Sequence, residues 1–198
     1  LVVHIDDWVL EHACEQLAAW QRNNSELTMS INLSGLQFAR ADLVTRVAEA
    51  LERTGANPER VALELTEGVL MRDAEDTVTV LRGLKGLGVR LHVDDFGTGY
   101  SSLSYLKRFP VDALKVDRSF VDGLGDNTDD RAIVQSVIAL AQSLGIATIA
   151  EGVETTKQLE MLRELGCSSA QGFLFSRPLP PDELTALVGF AGVVAPLP

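Results

Sequence analysis

Six times along this chain comes a short apolar run, commonly with a polar or charged residue at or near its end, and a helical stripe follows. The runs are Leu27 to Ser34, Val61 to Glu67, Val89 to Asp95, Ala113 to Asp117, Ile146 to Ala150 and Ala170 to Phe175. Between them lie amphipathic stripes such as Leu43, Val47 and Leu51, or Val78, Leu81 and Leu84, commonly closed by glycine. This alternation predicts an α/β protein with a mainly parallel sheet. No linker, low-complexity segment or charge block divides residues 1–198, so a single domain is expected.

The central stretch is LHVDDFGTGYSSL, Leu91 to Leu103. Asp94 and Asp95 stand where the apolar run stops, Gly97 and Gly99 permit a tight loop, and Ser101 or Ser102 can cap a helix through Leu103, Leu106 and Phe109. An isolated Asp at a strand end is most often a turn former or a cap. Recurrence changes that reading. Asn32, Glu64, the Asp94 and Asp95 pair, Lys115, Glu151 and Gln171 come from six different strands. A doubly wound sheet would often show a glycine-rich phosphate loop, and GTGYSS has neither the Walker lysine nor the full GxGxxG spacing. A closed β/α barrel, in which every strand end converges on one mouth, accounts for the set better.

A net charge of -11 argues against a protein that grips long nucleic acid through a basic surface. It leaves room for a small phosphate ester held through cations. With 46% hydrophobic and 23% charged residues, no run long enough to span a bilayer and no leader pattern, a soluble cytoplasmic domain is expected, although the parent protein can be membrane-attached through other segments. Cys14 and Cys167 form no CxxC pattern and read as two reduced thiols. The stripe Ile5, Val9, Ala13, Leu17 and Trp20 reads as the core face of a first helix, and Ile133, Val137, Leu140 and Leu144 as that of a later one. Trp8 and Trp20 read as packing residues, His4 and His12 as surface groups, and His92 as a satisfied core histidine with the strand parity of Asp94.

Two carboxylates about 4 Å apart repel by roughly 4 kcal/mol at an effective dielectric of about 20. Glu64, Asp94, Asp95 and Glu151 in one mouth therefore need more compensation than Lys115 supplies. A pair of divalent ions would serve, and Asn, Asp and Glu oxygens suit Mg²⁺ or Mn²⁺. Two adjacent metals imply an activated water and in-line displacement at phosphorus.

The segments INLSGLQF, ELTE, DDFGTGYSSL, LKVDRSFV, AEGVET and QGFLFSRPLP, in this order, resemble the bacterial EAL domain. The resemblance covers nearly the whole chain, and DDFGTGYSSL with AEGVET and QGF is its most specific part. It implies a TIM-like (β/α) barrel that hydrolyses cyclic di-GMP to linear pGpG with Mg²⁺ or Mn²⁺. By motif, Asn32, Glu64 and Asp94 resemble ligands of one metal, and Asp94 bridges to a second that Asp95 and Glu151 help to hold. Lys115 resembles the lysine that orients water and phosphate, and Gln171 the glutamine near it. Glu67 resembles the acid that anchors the loop after Asp95, with Asp117 and Glu154 in support. A homodimer through the helix carrying Tyr105, Leu106 and Phe109 is expected, as are upstream sensory or GGDEF domains in the parent protein. The alternative is an inactive cyclic di-GMP sensor or a partner-docking module.

The family's naming Glu-Ala-Leu motif lies on a strand ahead of the first helix seen here. The chain is expected to lack that tripeptide, the first two barrel strands and the substrate-contacting arginine, and so to be an incomplete barrel that is inactive by itself.

Overall fold

A computed structural model describes residues 2–22, 26–71, 74–99 and 103–188. Ser101 and Ser102, expected as caps, lie outside the described residues, and so does the side chain of His4. The hydrogen-bonded strand order follows the chain, first strand to sixth. The residues group into two compact units, Leu1–His92 with Ser102–Val111, and Val93–Ser101 with Asp112–Pro198.

In the first unit, helix α1 (Val2–Gln21) precedes strand β1 (Met29–Asn32), a short helix α2 (Gly35–Phe38) and helix α3 (Leu43–Thr54). The buried face of α1 is Leu10, Cys14 and Leu17. This corrects the expected stripe. Ile5 and Val9 are exposed, Trp8 is 58% exposed, and its ring lies 4.1 Å from that of His12. The helix is apolar on more than one side, so spacing alone does not choose the buried one. Helix α3 follows expectation, with Leu43, Val47, Ala50 and Leu51 inside and Gly55 closing it at φ 70°. Asp42 does not cap it. That carboxylate takes two bonds from Arg40, at 2.8 and 2.7 Å, instead.

Glu49, Ala50 and Leu51 spell Glu-Ala-Leu, so the tripeptide expected to be missing does occur. It lies within α3, where Ala50 and Leu51 are core and Glu49 is exposed. An outward helical Glu of this kind is an amphipathic-helix residue and not the strand-borne motif.

Strand β2 (Val61–Thr66) pairs in parallel with β1 and sets Asn32 opposite Glu64. Its first five residues are buried in succession, as expected of a parallel strand covered on both faces. Helices α4 (Glu67–Leu70) and α5 (Ala74–Gly86) follow, and Val78, Leu81 and Leu84 are all buried. Strand β3 (Arg90–Phe96) runs through Asp94 and Asp95 and does not stop at them. In helix α6 (Leu103–Leu106) and the turn after it, Leu106 and Phe109 are buried within the chain. Tyr105, on the same helix, is half-buried.

The second unit continues with strand β4 (Ala113–Val116), entirely buried, and helices α7 (Arg118–Asp122) and α8 (Thr128–Leu144). Asn127 caps α8 by accepting from Asp129 N at 2.9 Å, and Gly145 closes it at φ 70°. Its buried face is Val134, Val137, Ile138 and Ala141, rotated from the expected stripe although Val137 belongs to both. Strand β5 (Ala147–Ala150) pairs in parallel with β4 and with β6 (Ser169–Ala170). Between them, helix α9 (Thr156–Glu164) opens with a capping box from Thr155 and Gln158. Strand β6 is shorter than expected, because the chain turns at Gly172, and helix α10 (Pro181–Val188) follows. Cys14 and Cys167 are buried free thiols, and burial pushes the Cys14 thiol up to about 11. Among the described residues no helix is long and apolar enough to cross a membrane.

Candidate functional site

Strand β4 carries Lys115 into the second unit with its side chain only 4% exposed. A buried ammonium needs anionic partners, and it has them. Its Nζ lies 3.0 Å from Asp94 Oδ1 and 2.6 Å from Glu151 Oε1. Asp94 comes from the end of β3, whereas Glu151 follows β5 and is placed by its own N–H, which donates to Val116 O at 3.1 Å. Gln171, one residue past β6, donates from Nε2 to the same Glu151 Oε1 at 2.8 Å. Successive parallel strand ends thus deliver a lysine, two carboxylates and an amide to one place.

Asp95 joins this group by an unusual backbone. Its φ of 54° is the only positive value at a described residue other than glycine. Asp tolerates the left-handed region better than most side chains. Its N–H donates to Asp94 Oδ1 at 3.1 Å, and Thr98 Oγ1 donates to its carbonyl at 2.8 Å, which holds the turn. Burial, and then the nearby Asp94 and Asp117 charges, raise the Asp95 carboxyl above its ordinary range, with Lys115 opposing them. Asp94, Asp95 and Glu151 each offer a carboxylate oxygen within 4.8 Å of the others, the one acidic group with metal-ligand spacing among the described residues. Hard oxygen donors gathered around one shared lysine fit a divalent cation of the Mg²⁺ or Mn²⁺ type.

The remaining expected residues fall in three places. Asp117 caps α7, accepting from Ser119 N at 3.0 Å, and faces Asp95. Glu154 does not join the carboxylate group, since it is exposed and pairs with Arg118 at 2.8 Å. In the first unit, Asn32 ends β1 and stands in register with Glu64, two residues before the end of β2, with Glu64 4% exposed. Glu67 is buried as the first residue of α4. His92 is buried as expected but is not satisfied, since its Nδ1 has no hydrogen-bond partner and stands 3.8 Å from Glu64 Oε1.

Sequence reasoning missed a groove of about 490 Å³ beside Gln171, lined by Arg118, Gly152, Phe173, Arg177 and Leu184 among others. Phe173 is 45% exposed, and the Arg177 guanidinium sits 4.8 Å from its ring centre, a cation–π distance. The signal was present as aromatic residues and an arginine directly after a strand-end glutamine. Gly172 explains why the backbone turns here. At φ 154° a Cβ on it would stand 2.3 Å from the backbone N and O of Val153, and backbone cannot swing away as a side chain can. Gly172→Ala is therefore expected to cost roughly 3 kcal/mol of stability and to displace Gln171 from Glu151, which a denaturant midpoint will show.

The EAL domain family model matches residues 1–178. This chain belongs to the EAL domain family. Among curated relatives, the bifunctional diguanylate cyclase/cyclic di-GMP phosphodiesterase MucR of Pseudomonas aeruginosa is 47% identical over 189 residues. That match takes in 95% of this chain and 28% of the relative, so the chain spans little more than a quarter of MucR. The MucR phosphodiesterase solved with cyclic di-GMP superposes with a TM-score of 0.90 over 93% of this chain and 75% of that one. The EAL domain of Mycobacterium smegmatis DcpA, 43% identical, superposes with a TM-score of 0.91 over 96% of this chain and 86% of that one. Klebsiella pneumoniae BlrP1, solved with manganese and cyclic di-GMP, is 34% identical with a TM-score of 0.80 over 89% of this chain and 45% of its own. The architecture is thus the TIM-like α/β fold of EAL domains. The described residues supply six parallel strands where a full TIM barrel has eight.

Proposed function

We infer that this EAL chain carries residues of a phosphodiesterase site that hydrolyses cyclic di-GMP to linear pGpG with Mg²⁺ or Mn²⁺. The observation that carries this reading is Lys115 held between Asp94 and Glu151, with Asp95 at ligand distance from both acids. The phosphodiesterase relatives and the manganese and cyclic di-GMP complex of a 34% identical protein support it.

Asp94, Asp95 and Glu151 would hold the cation in the second unit, and Asn32 and Glu64 carry the ligand roles that the family resemblance gives them. Bound divalent ions supply a water of lowered pKa and neutralise charge on the phosphodiester. Asp94 and Glu151 hold Lys115 with little freedom to reorganise, so its ammonium is placed to orient water and a phosphate oxygen. Gln171 keeps the Glu151 carboxylate in that arrangement. Water oxygen bonds to phosphorus as the bond from phosphorus to one ribose 3′ oxygen breaks. That oxygen leaves with a proton, and the product is a linear dinucleotide with a 5′ phosphate. Phe173, with Arg177 against it, offers a flat face suited to a guanine.

We read residues 1–198 as one EAL-type domain of a larger, cytoplasmic signalling protein with sensory or GGDEF segments upstream. Homodimerisation through α6 rests on the family resemblance, since Leu106 and Phe109 are already buried within the chain. Light scattering that finds the intact protein only monomeric would remove it. The function itself is tested by incubating the intact protein with cyclic di-GMP and Mg²⁺ and separating the nucleotides. Tight binding with no pGpG would transfer the chain to the sensor reading. No binding would sink both.

A further inference from the structure

We propose that His92 is a positioning residue for Glu64, donating from Nδ1 to the carboxylate and so fixing it for cation binding. This rests on the reading of Glu64 as a ligand and adds a residue that the motif resemblance does not assign. His92 is 7% exposed, on the strand after that of Glu64, and its Nδ1 is buried with no hydrogen-bond partner. Such an atom lowers stability and calls for a reason. The group it faces is itself buried. Glu64 Oε1 is 3.8 Å away, beyond hydrogen-bonding range but short of it by less than 1 Å. A small turn of the carboxylate closes that gap into a charge-assisted bond. The donation needs only a proton on Nδ1, and it holds the carboxylate in the way that ligating carboxylates are held by outer hydrogen bonds at metal centres. An aliphatic residue at position 92 would fill the same space and leave Glu64 without that donor.

The test is calorimetric titration of Mn²⁺ into the intact protein, alongside thermal unfolding with and without the ion. His92→Leu removes the donor and keeps an apolar fill, whereas His92→Asn returns an N–H close to the place of Nδ1. His92→Leu should weaken Mn²⁺ binding about ten-fold and shrink the Mn²⁺-induced rise in midpoint. His92→Asn should restore most of both. Unaltered Mn²⁺ affinity in His92→Leu would overturn the proposal. So would no rescue by His92→Asn, since that marks a packing role. Glu64→Gln separates the two levels of inference. If it binds Mn²⁺ as tightly as the unaltered protein, or if the unaltered protein binds none, the ligand reading fails and the proposal with it.

Discussion

Lys115→Ala is expected to lower the turnover of the intact protein by about 100- to 1,000-fold, the usual loss when a preorganised donor to a developing charge is removed. Its Nζ is 3.0 Å from Asp94 and 2.6 Å from Glu151, so the variant removes a cation that both carboxylates share. The same variant should also be less stable without metal. Removing one member of a buried ionic group leaves the others uncompensated, at a cost on the order of 3 kcal/mol. Adding Mg²⁺ should recover much of that loss, because a divalent ion meets the two carboxylates that Lys115 leaves behind. Substrate affinity should change little, since many other contacts hold the nucleotide. Near-normal turnover at saturating substrate and metal would remove Lys115 from the mechanism.

Asp94→Asn is expected to give the opposite pattern in stability and a similar loss in rate. The amide oxygen can still accept from Asp95 N, and Lys115 keeps Glu151. One carboxylate fewer beside Asp95 also relieves the repulsion that helps raise its pKa. Metal-free stability should therefore stay within about 1 kcal/mol of the unaltered protein, as for most substitutions that break no packing. Turnover should fall by about 100-fold or more, because a charged ligand oxygen is lost. Denaturant midpoints and kcat measured on the two variants side by side distinguish the roles. Lys115→Ala loses both, and Asp94→Asn loses rate alone.

The strand ends were legible because parallel strands covered on both faces are written as unbroken apolar runs, and a polar residue after such a run marks where the chain leaves the sheet. Val61 to Leu65 and Ala113 to Val116 are buried throughout, and the charged residues inside them, Glu64 and Lys115, are the candidate site residues. Helix faces were less legible. In α1 and α8 apolar residues occupy more than one side, so the buried set of Leu10, Cys14 and Leu17, or of Val134, Ile138 and Ala141, is decided by what each helix packs against. Carboxylates sharing a lysine could be expected from residue types, but the left-handed Asp95 could not, because Asp is also at home in extended backbone. Phe173 with Arg177, and His92 with Glu64, depend on contacts between side chains, which periodicity does not encode. The tripeptide Glu49 to Leu51 carries the complementary lesson: three matching letters on an amphipathic helix place their glutamate outward.

The most direct test of the central claim is a time course of pGpG formation from cyclic di-GMP by the intact protein, run with Mn²⁺, after chelation, and after Mn²⁺ is restored. The account predicts linear pGpG in the first run, none after chelation, and recovery when the ion returns, with Asp94→Asn nearly silent throughout. Product formed at an undiminished rate in the chelated sample, or by Asp94→Asn, would contradict it.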